Sequence, residues 1–113
     1  MNHGAAAEAI AASFLAAHGL LIVQRNYRCR GGEIDLIARD GATLVFVEVR
    51  LRRNRDFGTA AESITAAKRR RLRFAARHYL ARLGREPTCR FDAVLLDALA
   101  TENIEWLRGI EGI

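Results

Sequence analysis

Two acids stand inside otherwise apolar, strand-like runs: Asp35 in Glu33-Ile34-Asp35-Leu36-Ile37-Ala38-Arg39, and Glu48 in Leu44-Val45-Phe46-Val47-Glu48-Val49-Arg50. Side chains alternate between the faces of a strand, so Leu44, Phe46, Glu48 and Arg50 share one face, as do Glu33, Asp35 and Ile37 on the preceding run. A carboxylate at the end of an apolar face is costly to desolvate unless a cation, a hydrogen-bond donor or open water receives it. Asp40-Gly41 between the runs is a strong hairpin signal. A two-residue loop at Asp40-Gly41 pairs Arg39 with Ala42 and makes Asp35 a diagonal neighbour of Glu48. A four-residue loop, Asp40 to Thr43, sets Asp35 directly opposite Glu48, whereas three residues without a bulge would separate the acids onto opposite faces. In the first two registers like charges meet and repel. A divalent cation would remove that repulsion, and Mg²⁺ suits two carboxylates because it keeps waters and takes phosphate oxygens for the rest of its shell. The alternative is that Arg50 and Arg52 neutralise the two acids in surface ion pairs.

The elements that must position these acids follow from periodicity. Ile10, Phe14 and Leu15 recur at helical spacing in an Ala-rich stretch from Ala5 to His18, with Gly19 placed as a left-handed cap. Leu20 to Arg30 reads as a strand that leads to a Gly31-Gly32 turn. Glu33–Arg39 and Thr43–Arg52 form the hairpin. Asn54 to Gly58 reads as a loop, and Thr59 to Leu83 as a helix closed by Gly84, with a start uncertain by several residues. Arg90–Leu96 is a returning strand, and Asn103–Leu107 is a short edge strand or a helical turn. The order αβββαβ(β) predicts an α/β fold, a twisted mixed sheet flanked by helices.

The totals bound the rest. With 113 residues, half of them hydrophobic, the chain can bury one core, so a single domain over 1–113 is expected. Cys29 and Cys89 form neither a CxxC pair nor a Cys/His cluster, which argues against zinc and a disulfide framework. The apolar stretch after Ala5 lacks a basic leader and contains Glu8, no run is long enough to cross a bilayer, and a cytoplasmic protein is expected. The net charge is +5, and 17 of the 18 basic residues are Arg, leaving Lys68 as the only lysine. Arginine's planar fork matches phosphate oxygens, which favours a polyanionic partner.

Gly32-Glu33-Ile34-Asp35-Leu36-Ile37-Ala38 followed by Val45-Phe46-Val47-Glu48-Val49-Arg50 resembles the YraN-like family of small bacterial proteins. That family in turn resembles the Holliday-junction-resolvase branch of the PD-(D/E)-x-K nuclease fold, with its restriction-endonuclease-like core. Ala7-Glu8, Arg25-Asn26-Tyr27-Arg28, Phe57-Gly58, Lys68 and Arg90-Phe91-Asp92 extend the match over nearly the whole chain. The resemblance implies that Asp35 and Glu48 bind Mg²⁺ or Mn²⁺, that Val49 lends its carbonyl, and that Glu8 approaches from the first helix, where an exposed surface acid would be the ordinary reading. Arg50 stands where the nuclease motif has lysine. It can supply charge but is never deprotonated and is bulkier, so Lys68 is the candidate to supply an ammonium from the second helix, against the plain reading of a surface lysine.

Nine of the 18 basic residues lie between Arg50 and Arg73, opposed there only by Asp56 and Glu62. Arg28, Arg52, Arg53, Arg55, Lys68 and Arg69 are the candidate contacts to phosphates, giving affinity without sequence preference. Tyr27 and Trp106 read as packing. The expected function is a Mg²⁺-dependent endonuclease acting on DNA in preference to RNA, on branched or recombination intermediates, with a C₂ homodimer matching a two-fold substrate. A catalytically degenerate binding module and a protein-binding adaptor using an exposed strand edge are the alternatives.

Overall fold

The computed structural model describes residues 3–51, 64–97 and 103–111. Helix α1 (His3–Ala17) is followed by strands β1 (Leu21–Cys29), β2 (Gly32–Asp40) and β3 (Thr43–Leu51). Helix α2 (Ala66–Leu83), β4 (Cys89–Leu96) and β5 (Glu105–Leu107) complete the order. The strands lie in one sheet in sequence order. The β1–β2, β2–β3 and β4–β5 pairs are antiparallel, and β3–β4 is parallel because α2 carries the chain back across the sheet. This is the α/β mixed sheet flanked by helices that the element order predicts.

Each helix covers one face. On α1, Ala7, Glu8, Ala11, Ala12 and Leu15 form the buried stripe at helical spacing. Ala11, Ala12 and Leu15 pack on Leu36, Ala38, Val45, Val47 and Val94. On the other face Leu72, Ala75 and Ala76 of α2 pack on Tyr27, Ile34, Ile37, Leu44 and Phe46. Strand β3 alternates cleanly between these clusters, which is why its apolar residues are buried on both sides.

The hairpin pairs Asp40 with Thr43 and Arg39 with Leu44, so its loop is Gly41-Ala42 and not Asp40-Gly41. Gly41 at φ 62° takes the first central position, where a type II′ turn needs glycine. The resulting register is nevertheless the one that sets Asp35 opposite Glu48.

Helix α2 begins later than the apolar pattern suggests. Thr65 is extended (φ −66°, ψ 161°) and its hydroxyl accepts from the Lys68 amide at 3.2 Å, the geometry of an N-cap. The helix therefore starts at Ala66. The other end matches expectation, with Gly84 left-handed at φ 78°. The C-terminal segment is a strand and not a helical turn, after a left-handed Asn103.

Where β1 and β2 meet α2, the backbones touch. A Cβ on Gly32 would lie 2.3 Å from the Arg71 carbonyl oxygen and 3.0 Å from the Ala75 amide nitrogen, so only glycine lets α2 approach this closely.

Candidate functional site

Strict alternation along β2 would put Ile34 and Leu36 on one face. Instead Ile34 packs with Ile37 against α2, while Leu36 packs against α1. The phase therefore breaks at Asp35. Across from this break, between the pairs Arg25–Leu36 and Tyr27–Ile34, stands Asn26 in the left-handed region at φ 52°. Asparagine tolerates that conformation better than other side chains except glycine. The regular β2–β3 pairing ends at Leu36–Val47, and one step further the Asp35 Oδ2 accepts from the Val49 amide at 2.8 Å. A side chain thus takes over where backbone pairing stops, and it fixes the Asp35 carboxyl beside Glu48.

Three carboxyl groups converge here from α1, β2 and β3. Glu8 is only 8% exposed and Glu48 5%, so Glu8 lies on the buried stripe of α1 and is not a surface acid. Burial raises the Glu8 carboxyl above its ordinary range. Hydrogen bonds with Asn26 and Asp35 and the charge of Arg28 act the other way. Asp35 is pushed up to about 8, first by burial, then by the charge of Glu48, with Glu8 adding to the repulsion and the Val49 amide opposing it. Lys68 reaches in from the first turn of α2, its Nζ 2.9 Å from Glu48 Oε2. The lysine is thus the cation on Glu48, and Arg50, half-buried further along β3, is not. Among the described residues, no group of three or more carboxyl, imidazole or thiol side chains is arranged to hold a metal ion.

Residues 7–96 match the profile described as Uncharacterised protein family UPF0102. The chain belongs to UPF0102. It is 63% identical over 105 residues to a UPF0102 protein of Nitrosospira multiformis, covering 93% of this chain and 88% of that one. To a UPF0102 protein of Methylobacillus flagellatus it is 54% identical over 102 residues, covering 90% and 89%. To one of Cupriavidus taiwanensis it is 60% identical over 107 residues, covering 93% and 79%. The acids, the lysine and the glycine approach all lie inside the span that defines UPF0102.

The basic candidates of this UPF0102 chain divide. Arg28 is exposed and close enough to Glu8 to lower its pKa. Arg69 is used internally: its Nε donates to the Ile64 carbonyl at 3.1 Å and its Nη1 to the Glu111 carbonyl at 3.0 Å. That tie between helix and C-terminal segment occupies the guanidinium expected to meet phosphate. Arg52, Arg53 and Arg55 lie outside the described residues. Tyr27 is buried and hydrogen-bonded to His78, and Trp106 donates to Asp92, so both pack as expected. No helix among the described residues is long and apolar enough to cross a membrane.

Sequence reasoning quoted Asn26 only within the motif match and gave it no role, although an asparagine within a strand run is a signal for positive φ. It also left Asp92 without a role. Fully buried, Asp92 accepts from Arg90 Nε and the Gly109 amide at 3.0 Å each on Oδ1, and from Trp106 Nε1 at 3.0 Å on Oδ2. Arg90 also reaches Asp40 at 2.9 Å. This network ties β5 and the residues after it to β4, where Asp92 pairs with Val47, and through Arg90 to Asp40 at the end of β2.

Proposed function

We propose that this protein is a metal-dependent phosphodiesterase acting on DNA, with Asp35 and Glu48 at its centre. The observation that carries the reading is the delivery of Lys68 Nζ to Glu48 beside an Asp35 that is itself crowded by two further acids. The donor set suits a hard divalent ion that keeps much of its water: Asp35 and Glu48 are adjoining carboxyl groups whose repulsion keeps a proton on Asp35 near neutral pH, a proton that a bound cation would displace, and water and phosphate would complete the shell. Asp35, Glu48 and the Val49 carbonyl would hold Mg²⁺ or Mn²⁺, which when bound lowers the pKa of a coordinated water and offsets charge on phosphate oxygens.

The chain's own residues supply the rest. Lys68, an ammonium with three donors, orients the attacking water and stabilises charge growing on the phosphate, the task that Arg50 performs poorly with a fixed fork. Glu8 accepts from Asn26 and, while Asp35 keeps its proton, from Asp35, and so holds the Asp35 carboxyl in position before an ion binds. Arg28 neutralises the outer side of Glu8 and meets a flanking phosphate. Two copies related by a two-fold axis would match a branched substrate.

The test is cleavage of branched and linear DNA with Mg²⁺ or Mn²⁺. Wild-type protein cuts; Asp35→Ala and Glu48→Ala are silent; Lys68→Ala falls about 10²–10³-fold, the loss expected on removing one stabilising donor. Binding without cutting by wild-type protein under both metals would discard the enzymatic reading.

A further inference from the structure

Helix α2 presents to solvent a stripe that the site at Lys68 does not use. Arg70, Arg71, Phe74 and Arg77 are all exposed, and at 3.6 residues per turn they lie within about 60° of the direction of Phe74. Phe74 is 51% exposed, one of the few large apolar side chains left open among the described residues. Its ring edge rests on the β1–β2 turn, where a Cβ on Gly31 would meet it at 3.2 Å. Beside it runs an open groove of about 420 Å³ lined by Arg28, Cys29, Gly31, Gly32, Glu33 and Arg71. That volume falls in the roughly 300–1,000 Å³ range of pockets that hold small organic groups, enough for one nucleotide. Glu33 takes one donor of Arg71 at 2.7 Å and holds its guanidinium at the rim of the groove.

An exposed aromatic ring on a helix stripe with Arg70, Arg71 and Arg77, beside a groove that Arg28 also lines, is poorly explained by packing. It is the composition of a stacking platform for bases of a single strand, where arginines track the phosphates and the ring takes the π-face of a base. A base within a duplex offers no free face, so the surface fits unpaired nucleotides. We infer that Phe74, with Arg28, Arg70, Arg71 and Arg77, binds a single-stranded segment of the substrate adjoining the scissile phosphate. Lys68 and Phe74 are six residues apart, a rise of about 9 Å along α2, so the ring lies within a few nucleotides of the site at Lys68. The inference rests on the proposed nucleic-acid reading and narrows it to junctions with an unpaired strand.

The experiment is fluorescence anisotropy in Ca²⁺ with one duplex prepared blunt and with a six-nucleotide single-stranded tail, 2-aminopurine standing in turn at each tail position. The tailed duplex binds more tightly than the blunt one, and 2-aminopurine is quenched at one tail position, a quench that Phe74→Ala removes. Phe74→Ala weakens the tailed duplex about 5- to 150-fold, the worth of one stacked base, and leaves the blunt duplex unchanged. Phe74→Trp keeps the preference. Phe74→Leu, which preserves the apolar contact with Gly31, behaves as Phe74→Ala and separates stacking from folding. Equal affinity for both duplexes, or a Phe74→Ala protein indistinguishable from wild type on the tail, overturns this inference alone. Failure to bind any DNA overturns the nucleic-acid reading with it.

Discussion

Asp35 sets the charge balance of the site. Its carboxyl is pushed up to about 8 by burial and then by Glu48, so near neutral pH the folded protein holds a proton that an ordinary carboxyl, at 3.8, has released. Because the folded state binds this proton more tightly, the contribution to stability is whole below about pH 4 and is lost as pH climbs through 8. Asparagine keeps an oxygen for the Val49 amide and cannot ionise. Asp35→Asn is therefore expected to melt higher than wild type at pH 8 without divalent ions, by roughly 4–8 °C for each kcal/mol of relieved repulsion, and to match it near pH 4. Adding Mg²⁺ at pH 8 should raise the wild-type melting temperature and leave the variant unmoved. Equal shifts at both pH values, in a thermal melt followed by circular dichroism, would mean that the carboxyls do not repel one another as described.

At the scale of elements, the approach of α2 to the β1–β2 turn decides whether Lys68 reaches Glu48. Gly32 does not need a left-handed backbone; its cost to replace is steric, since a methyl would sit 2.3 Å from a backbone oxygen. Gly32→Ala is expected to cost about 1–3 kcal/mol. Gly84→Ala, which meets open space at φ 78°, should cost only the left-handed strain of about 1–2 kcal/mol and leave the site intact. Denaturant melts compare the two, and full DNA cleavage by Gly32→Ala would show that α2 need not sit so close. The same elements explain what could be read from sequence. The face of Glu48 was legible because β3 alternates without interruption. Asp35 was legible as a partner only through the hairpin register, because the phase break opposite Asn26 depends on two strands at once. The start of α2 was hidden because Ile64 continues the apolar pattern while Thr65 caps the helix that begins after it. The Lys68–Glu48 pair joins a helix to a strand 20 residues earlier, and the Asp92 network joins β4 to the C-terminal segment. Periodicity carries no signal for either; only the motif match pointed to Lys68.

Across the whole molecule, a net charge of +5 says little by itself, because charges locked in pairs do not meet a polyanion. Arg90 is held by Asp40 and Asp92, and Arg69 bonds carbonyl oxygens, so neither belongs in a count of phosphate contacts. Arg28, Arg70, Arg71 and Arg77 do, since they are exposed on one side of α2 and its adjoining groove; the pair of Arg71 with Glu33 is itself largely open to water and leaves guanidinium donors free, unlike that of Arg90 with the fully buried Asp92. Counterion release then gives a slope of log K against log salt of about −3 on single-stranded DNA, roughly −0.7 for each of four contacts. Removing one arginine should cut the slope by about one contact's worth and weaken binding of all sequences alike. Arg71→Ala and Arg77→Ala are expected to do so, while Arg90→Lys, which keeps a cation on its two acids, should leave the slope unchanged. Titrations from 50 to 200 mM KCl decide the matter. A slope near zero, or one that falls equally in the Arg90 variant, would mean that affinity comes from total charge and not from this one surface.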